Sequence, residues 1–193
     1  MKEIGLFGGT FDPPHIGHMI MAQEVLNQCH LDEIWFVPVH TPPHKKRESQ
    51  TSNEDRLKML EACVSDVENF FISTVEYERK GISYTFDTVK HLRSQFPDVK
   101  FYFIIGGDMI EQLSNWHQIE ELKDMITFIG VHRPGSDVVK SENILQIKTI
   151  QIDVSSSLIR KRIKEGKPIK YLVPEQVERM IRKRGLYGEG AST

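Results

Sequence analysis

A chain of 193 residues that is 39% hydrophobic and 27% charged is long enough to bury a core and too apolar to be wholly disordered. Its 25 Lys/Arg and 27 Asp/Glu leave a net charge of −2, so there is no global case for nucleic acid. No apolar run approaches the roughly 20 residues of a membrane-spanning helix. The two cysteines, Cys29 and Cys63, form no CxxC and give neither a zinc signature nor a disulfide framework. With no apolar run near the start suited to export, a reduced cytoplasm is the expected setting.

Residues 2–7 predict a first strand, ending in Gly8-Gly9. Met19, Ala22, Val25 and Leu26 recur at helical spacing and predict a helix over 16–28. A second strand, 33–37, is stopped by a loop rich in Pro and His over 38–46. Ser52 can cap the next helix, with Asp55 giving a shortened capping box and Leu57, Leu60 and Val64 its apolar face. A strand follows over 70–75, then a helix over 85–95 that Thr85 can cap, with Asp87 in its positive first turn. The continuous apolar run 101–105 reads as a buried strand. A short helix (119–123), a strand (127–131), a last strand (149–153) and a helix (155–164) complete the alternation. Pro174 begins a final helix and Gly185 follows its end. Residues 1–187 are expected to form one domain, and 188–193 a flexible tail.

Strands alternating with helices predict an α/β protein: a Rossmann-like, doubly wound, mainly parallel sheet with helices on both faces and a small C-terminal helical part. Ligands in such sheets bind at the carboxyl ends of strands, so chemistry is expected after residues 7, 37, 105, 131 and 153.

The segment Gly8-Gly9-Thr10-Phe11-Asp12-Pro13-Pro14-His15-Ile16-Gly17-His18 lies between a strand and a helix. The glycines let backbone N–H groups approach a ligand, and the helix start presents its positive end. His15 and His18, three apart, can share a face and each donate an N–H to an anionic oxygen, with Gly17 leaving the surface between them open. This suits a triphosphate and the charge that grows as a phosphoryl bond breaks. A zinc site would need a third ligand, and the pair does not follow the HExxH pattern. There is no GxxxxGK[ST]. Near the other end, Val154-Ser155-Ser156-Ser157-Leu158-Ile159-Arg160 offers hydroxyls, a helix start and a guanidinium for phosphate, although serines also simply cap helices. Across residues 158–184, ten Lys/Arg face three Glu; this patch either attracts phosphates or solvates two surface helices.

Residues 8–18 match the GGTFDPxHxGH segment of bacterial nicotinate-mononucleotide adenylyltransferases residue for residue. The chain thus resembles that family, within the superfamily marked by (T/H)xGH, over nearly its whole length. The family's ISSTxIR-like segment corresponds to 154–160, with Val154 and Ser157 as mild departures. Ile105-Gly106-Gly107-Asp108, Leu113 and Trp116 are similar to its GxDxxxxLxxW, and 83–88 to its SYTxDT.

The resemblance implies adenylyl transfer from ATP to nicotinate mononucleotide. ATP would be held by Gly8, Gly9, Thr10, Phe11, His15, Gly17, His18, Gly106, Asp108, Ser155, Ser156, Ser157 and Arg160, with His15, His18 and Arg160 in catalysis. Nicotinate mononucleotide would meet Lys45, Tyr84, Thr85, Asp108, Trp116 and Arg133. Trp116 on its own also reads as core. Magnesium would come with ATP, held by phosphate oxygens rather than by a protein carboxylate cage. No nucleic acid or membrane partner is expected, and a homodimer is compatible with the sequence. Rival readings are a transferase using another phosphate acceptor and a nucleotide sensor that keeps the fold without catalysis.

Overall fold

The computed structural model describes residues 1–41, 51–132, 144–150 and 152–188. In chain order the elements are β1 (Lys2–Gly9), α1 (Ile16–Gln28), β2 (Glu33–Pro38), α2 (Asn53–Val64), β3 (Phe70–Ile72), α3 (Val75–Arg79), α4 (Thr85–Gln95) and β4 (Val99–Gly106). Then come α5 (Gly107–Ile110), a 3₁₀ turn (Leu113–Asn115), α6 (Ile119–Met125), β5 (Thr127–His132), β6 (Ile144–Lys148), α7 (Ser156–Lys164) and α8 (Glu175–Arg184). The six strands form one sheet in the order β3-β2-β1-β4-β5-β6, and every described pairing is parallel. The doubly wound α/β arrangement expected from the alternation is the one that forms.

Side chains alternate across each strand, and the sheet sorts them into two cores. Phe7, Ile34, Phe36, Tyr102, Ile104 and Ile129 pack with residues of α1, α2, α7 and α8. Ile4, Leu6, Phe101, Phe103, Ile105 and Phe128 pack with residues of α4, α5 and α6 on the opposite face. Chain direction across the sheet reverses between β1 and β4, where Leu6 pairs with Phe103. A crevice at the carboxyl ends of these two strands is the expected ligand position.

Four local expectations are corrected. The last strand is Ile144–Lys148, paired with β5 from Phe128↔Ile144 to His132↔Lys148, and the described part of 149–153 is not strand. The third strand ends at Ile72, and residues 75–79 form α3 instead. The inward face of α2 carries Asp55, Arg56, Met59, Leu60, Cys63 and Val64, so Leu57 is displaced from it. The cap of α4 is Tyr84, whose side chain makes no capping bond, and Thr85 is the first helical residue. Ser52 does cap α2, its Oγ accepting from the Asp55 N–H at 3.0 Å and its hydroxyl donating to the Asp55 carboxylate at 2.7 Å. No helix among the described residues is long and apolar enough to cross a membrane.

Candidate active site

β1 delivers the glycine-rich segment to the reversal point, and α1 begins at its far end. His15 is the N-cap of α1 and His18 its third residue, so one helical turn stacks the two rings, with centroids 3.6 Å apart and planes 23° apart. The backbone N–H of His15 donates to Nδ1 of His18 at 3.2 Å. That bond assigns Nδ1 as the acceptor, so a neutral His18 ring carries its proton on Nε2 and has a donor left for a ligand. Phe11 and Phe7 meet the His18 ring edge-on at centroid distances of 5.1 and 5.9 Å. The Phe11 side chain is thus core, 2% exposed, and supports His18 from behind.

Burial pulls the pKa of His15 from 6.5 down to about 4. It also pulls that of His18 well below 6.5, with His15 as the second cause. Without a ligand both rings are neutral at pH 7, and an anion arriving beside them supplies the charge that would reward protonation.

Two glycines are required by close approach. A Cβ on Gly9 would stand 2.8 Å from the Phe11 ring. One on Gly17 would stand 3.1 Å from both Nδ1 of His15 and Cγ1 of Val154. Gly17 therefore does not leave open surface between the histidines, as expected from sequence; its bare face is filled by the His15 ring. Gly8 backs onto the ring of Phe103, and Gly106 faces open space.

The two sequence motifs meet. Ser156 at the start of α7 donates from Oγ to the carbonyl of Pro13 at 2.8 Å, and Arg160 donates to the carbonyl of Asp12 at 2.7 Å. The other guanidinium nitrogen of Arg160 donates to Oγ of Ser157 at 3.0 Å. Ser155 is the N-cap of α7, accepting from the N–H of Leu158 at 3.1 Å. The hydroxyl of each of the three serines thus has a bond inside the protein. Ser156 and Arg160 tie the start of α7 to the segment that leads into α1.

Two residues that the sequence reading missed hold this arrangement. Arg56 is wholly buried and donates to the carbonyls of Thr10 at 2.6 Å and Val39 at 2.7 Å, tying the ends of β1 and β2 to α2. Tyr187, 6% exposed, donates its hydroxyl to Oδ1 of Asp12 at 2.6 Å. Arg56 occupies a helical-stripe position with Met59, Leu60 and Cys63, a spacing that could have revealed it. Tyr187 has no comparable local signal.

Across the crevice, Tyr84 precedes α4, whose first turn has no side-chain cap. Asp87 in that turn pairs with Arg79 at 3.2 Å. The Tyr84 ring meets His117 at 4.5 Å, bringing the α4 start and the Trp116 segment together. Trp116 is half-buried, edge-on to Phe103 and Phe128 at 5.8 and 6.1 Å. Below the α4 start, Thr88 donates to the buried Glu76 of α3 at 2.8 Å, and burial pushes that carboxyl up. Asp108 is the second residue of α5, at the end of β4. Lys45 and Arg133 lie outside the described residues, as do positions 189–193 of the expected tail.

A nucleotide-transferring α/β enzyme is the class that this fold and paired-histidine loop define, and comparison with known proteins agrees. The cytidylyltransferase-like family profile matches residues 6–162. A probable nicotinate-nucleotide adenylyltransferase of Geobacillus thermodenitrificans is 52% identical over 192 residues, covering 100% of this chain and 89% of the relative. One from Shouchella clausii is 49% identical over 189 residues, covering 98% of each. The fold is similar to that of Plasmodium falciparum nicotinic acid mononucleotide adenylyltransferase complexed with NaAD. That match has a TM-score of 0.83 and 24% identity, over 97% of this chain and 98% of the other. The chain belongs to the cytidylyltransferase-like family and, within it, to the nicotinate-nucleotide adenylyltransferases.

Proposed function

We propose that the chain transfers the adenylyl group of ATP to nicotinate mononucleotide, giving nicotinate adenine dinucleotide and pyrophosphate in NAD biosynthesis. The observation that carries the site assignment is the joining of the two motifs by Ser156 and Arg160 at Pro13 and Asp12. It supports a reading in which the α1 start, with its stacked histidines, and the α7 start flank one space, as a triphosphate needs.

The mononucleotide phosphate is the nucleophile. One of its oxygens attacks the α-phosphorus of ATP in line, the bond from that phosphorus to the β-bridging oxygen breaks, and pyrophosphate leaves. No protein nucleophile is needed, and catalysis consists of positioning and charge stabilisation. Nε2–H of His18 donates to a phosphate oxygen, and Arg160 and His15 face the same charge. MgATP is the substrate form. Among the described residues no group of three His, Cys, Asp or Glu could hold a metal, and phosphate oxygens supply the hard oxygen donors magnesium prefers.

The uncapped α4 start and the partly exposed Trp116 suit the acceptor. Free N–H groups at Thr85 and beyond meet the pyridine carboxylate, and the Trp116 ring meets the pyridine. Asp108 is assigned to ribose hydroxyls, and Lys45 and Arg133 to the acceptor phosphate.

The test is formation of dinucleotide and pyrophosphate from ATP and magnesium, with nicotinate and nicotinamide mononucleotides compared. Turnover of the acid well above the amide is expected. Binding of ATP with turnover of neither would return the chain to another acceptor or to a nucleotide sensor.

A further inference from the structure

Tyr187 comes from the far end of the described chain, yet its hydroxyl ends beside the candidate site. The bond to Oδ1 of Asp12 spans 175 positions. Both residues are buried, Tyr187 at 6% and Asp12 at 5% exposure. The carbonyl of the same Asp12 accepts from Arg160, and that of Pro13 from Ser156. One dipeptide therefore receives three donors, two from α7 and one from Tyr187.

The ring of Tyr187 is itself buried, and its φ of 65° lies in the left-handed region just past the end of α8. Burial first and the Asp12 charge second raise the phenol's pKa, so the hydroxyl keeps its proton and remains a donor. Three residues earlier, Arg184 pairs with Asp55 of α2 at 2.7 Å, fixing the end of α8 from which Tyr187 reaches.

We infer that Tyr187 is a positioning residue for the triphosphate half of the site: it fixes Asp12, and Asp12 fixes the guanidinium of Arg160 before ATP arrives. The inference rests on the proposed role of Arg160 in holding ATP. The mechanism above uses Tyr187 nowhere; its hydroxyl also meets Thr51, and the bond to Asp12 is the one that leads on to Arg160.

The test reads ATP–magnesium affinity of the full chain by calorimetry as well as turnover. A wild-type chain that binds ATP but forms no dinucleotide then overturns the assigned reaction and leaves this inference standing. Tyr187→Phe keeps the ring and removes the hydroxyl. It is expected to weaken ATP about tenfold while leaving the KM for nicotinate mononucleotide within about twofold. In an Arg160→Ala background the same change is expected to add nothing, because the two residues act in series. Unaltered ATP affinity in folded Tyr187→Phe, or an equal loss in the Arg160→Ala background, overturns the inference. If Tyr187→Phe does not fold, Asp12 carries the test. Asp12→Asn keeps an oxygen for the Tyr187 hydroxyl and Asp12→Ala does not. ATP affinity near wild type in the first and about tenfold weaker in the second supports the inference; equal affinities overturn it.

Discussion

Arg56 donates to the carbonyl oxygen of Thr10 at 2.6 Å across 46 positions of chain, from a side chain that water does not reach. The same guanidinium serves the carbonyl of Val39. Arg56→Met fills the space but leaves both carbonyls without this donor. It is expected to lower stability by about 3 kcal/mol, since each buried group left unpaired costs about 1–3 kcal/mol. Urea unfolding measures this, and a loss under about 0.5 kcal/mol, the range of an ordinary surface change, would refute the role.

Nδ1 of His18 accepts from the His15 N–H, the proposed donor is Nε2, and amide side chains separate the two. Gln places its amide nitrogen near the position of Nε2, whereas Asn reaches only that of Nδ1. His18→Ala is expected to lower turnover about 10²-fold, in the range of losing one oxyanion donor. His18→Gln should retain more turnover than His18→Asn. Steady-state kinetics on the three folded variants decide it, and the reverse order would place the working donor on Nδ1.

Acid should weaken the unliganded protein through its histidines. An unfolded imidazole titrates near 6.5, whereas burial holds His15 at about 4 and His18 well below 6.5. Below pH 6.5 the unfolded chain binds the extra protons, so this stability is complete above pH 6.5 and drains away as pH falls toward about 4. For His15 the full span is on the order of 3 kcal/mol. Urea midpoints from pH 7.5 to 4.5 should fall less steeply for His15→Gln than for wild type. Parallel slopes would show that His15 is not held neutral by the fold.

Gly17→Ala puts a methyl where the His15 ring and Val154 already lie. Alanine is the better helix former by about 1 kcal/mol, so the fold should survive. The stack should not, and turnover is expected to fall about tenfold or more while the thermal midpoint changes little. Activity equal to wild type would mean that the ring shifts without consequence.

Much of this was legible in the chain because local rules and global fold agree. The runs at 2–7, 33–37 and 101–105 became neighbouring strands, and both phosphate-type motifs lie at strand-to-helix turns as their glycines and serines suggested. The failures are equally physical. Ile150 and Ile152 alternate with polar residues as a strand would, but they are 64% and 36% exposed, and the ladder on β5 is taken by 144–148. Residues 75–79 are too few for periodicity to separate a helical turn from the end of a strand. On α2 the inward stripe is set one position earlier than Leu57, because Arg56 finds two carbonyls to satisfy it, those of Thr10 and Val39, each one residue past the end of a strand and 46 and 17 positions away. The bond from Tyr187 to Asp12 is invisible for the same reason.

That last contact also orders events in time. A growing chain has made its glycine-rich turn and both histidines within its first 18 residues, but the partner of Asp12 is polymerised 175 positions later. Unfinished chains therefore carry the glycine-rich loop before the Asp12 side chain has its tyrosine donor. If Tyr187 acts as inferred, a chain that stops short of it should bind ATP more weakly than the finished protein, not fail to bind it.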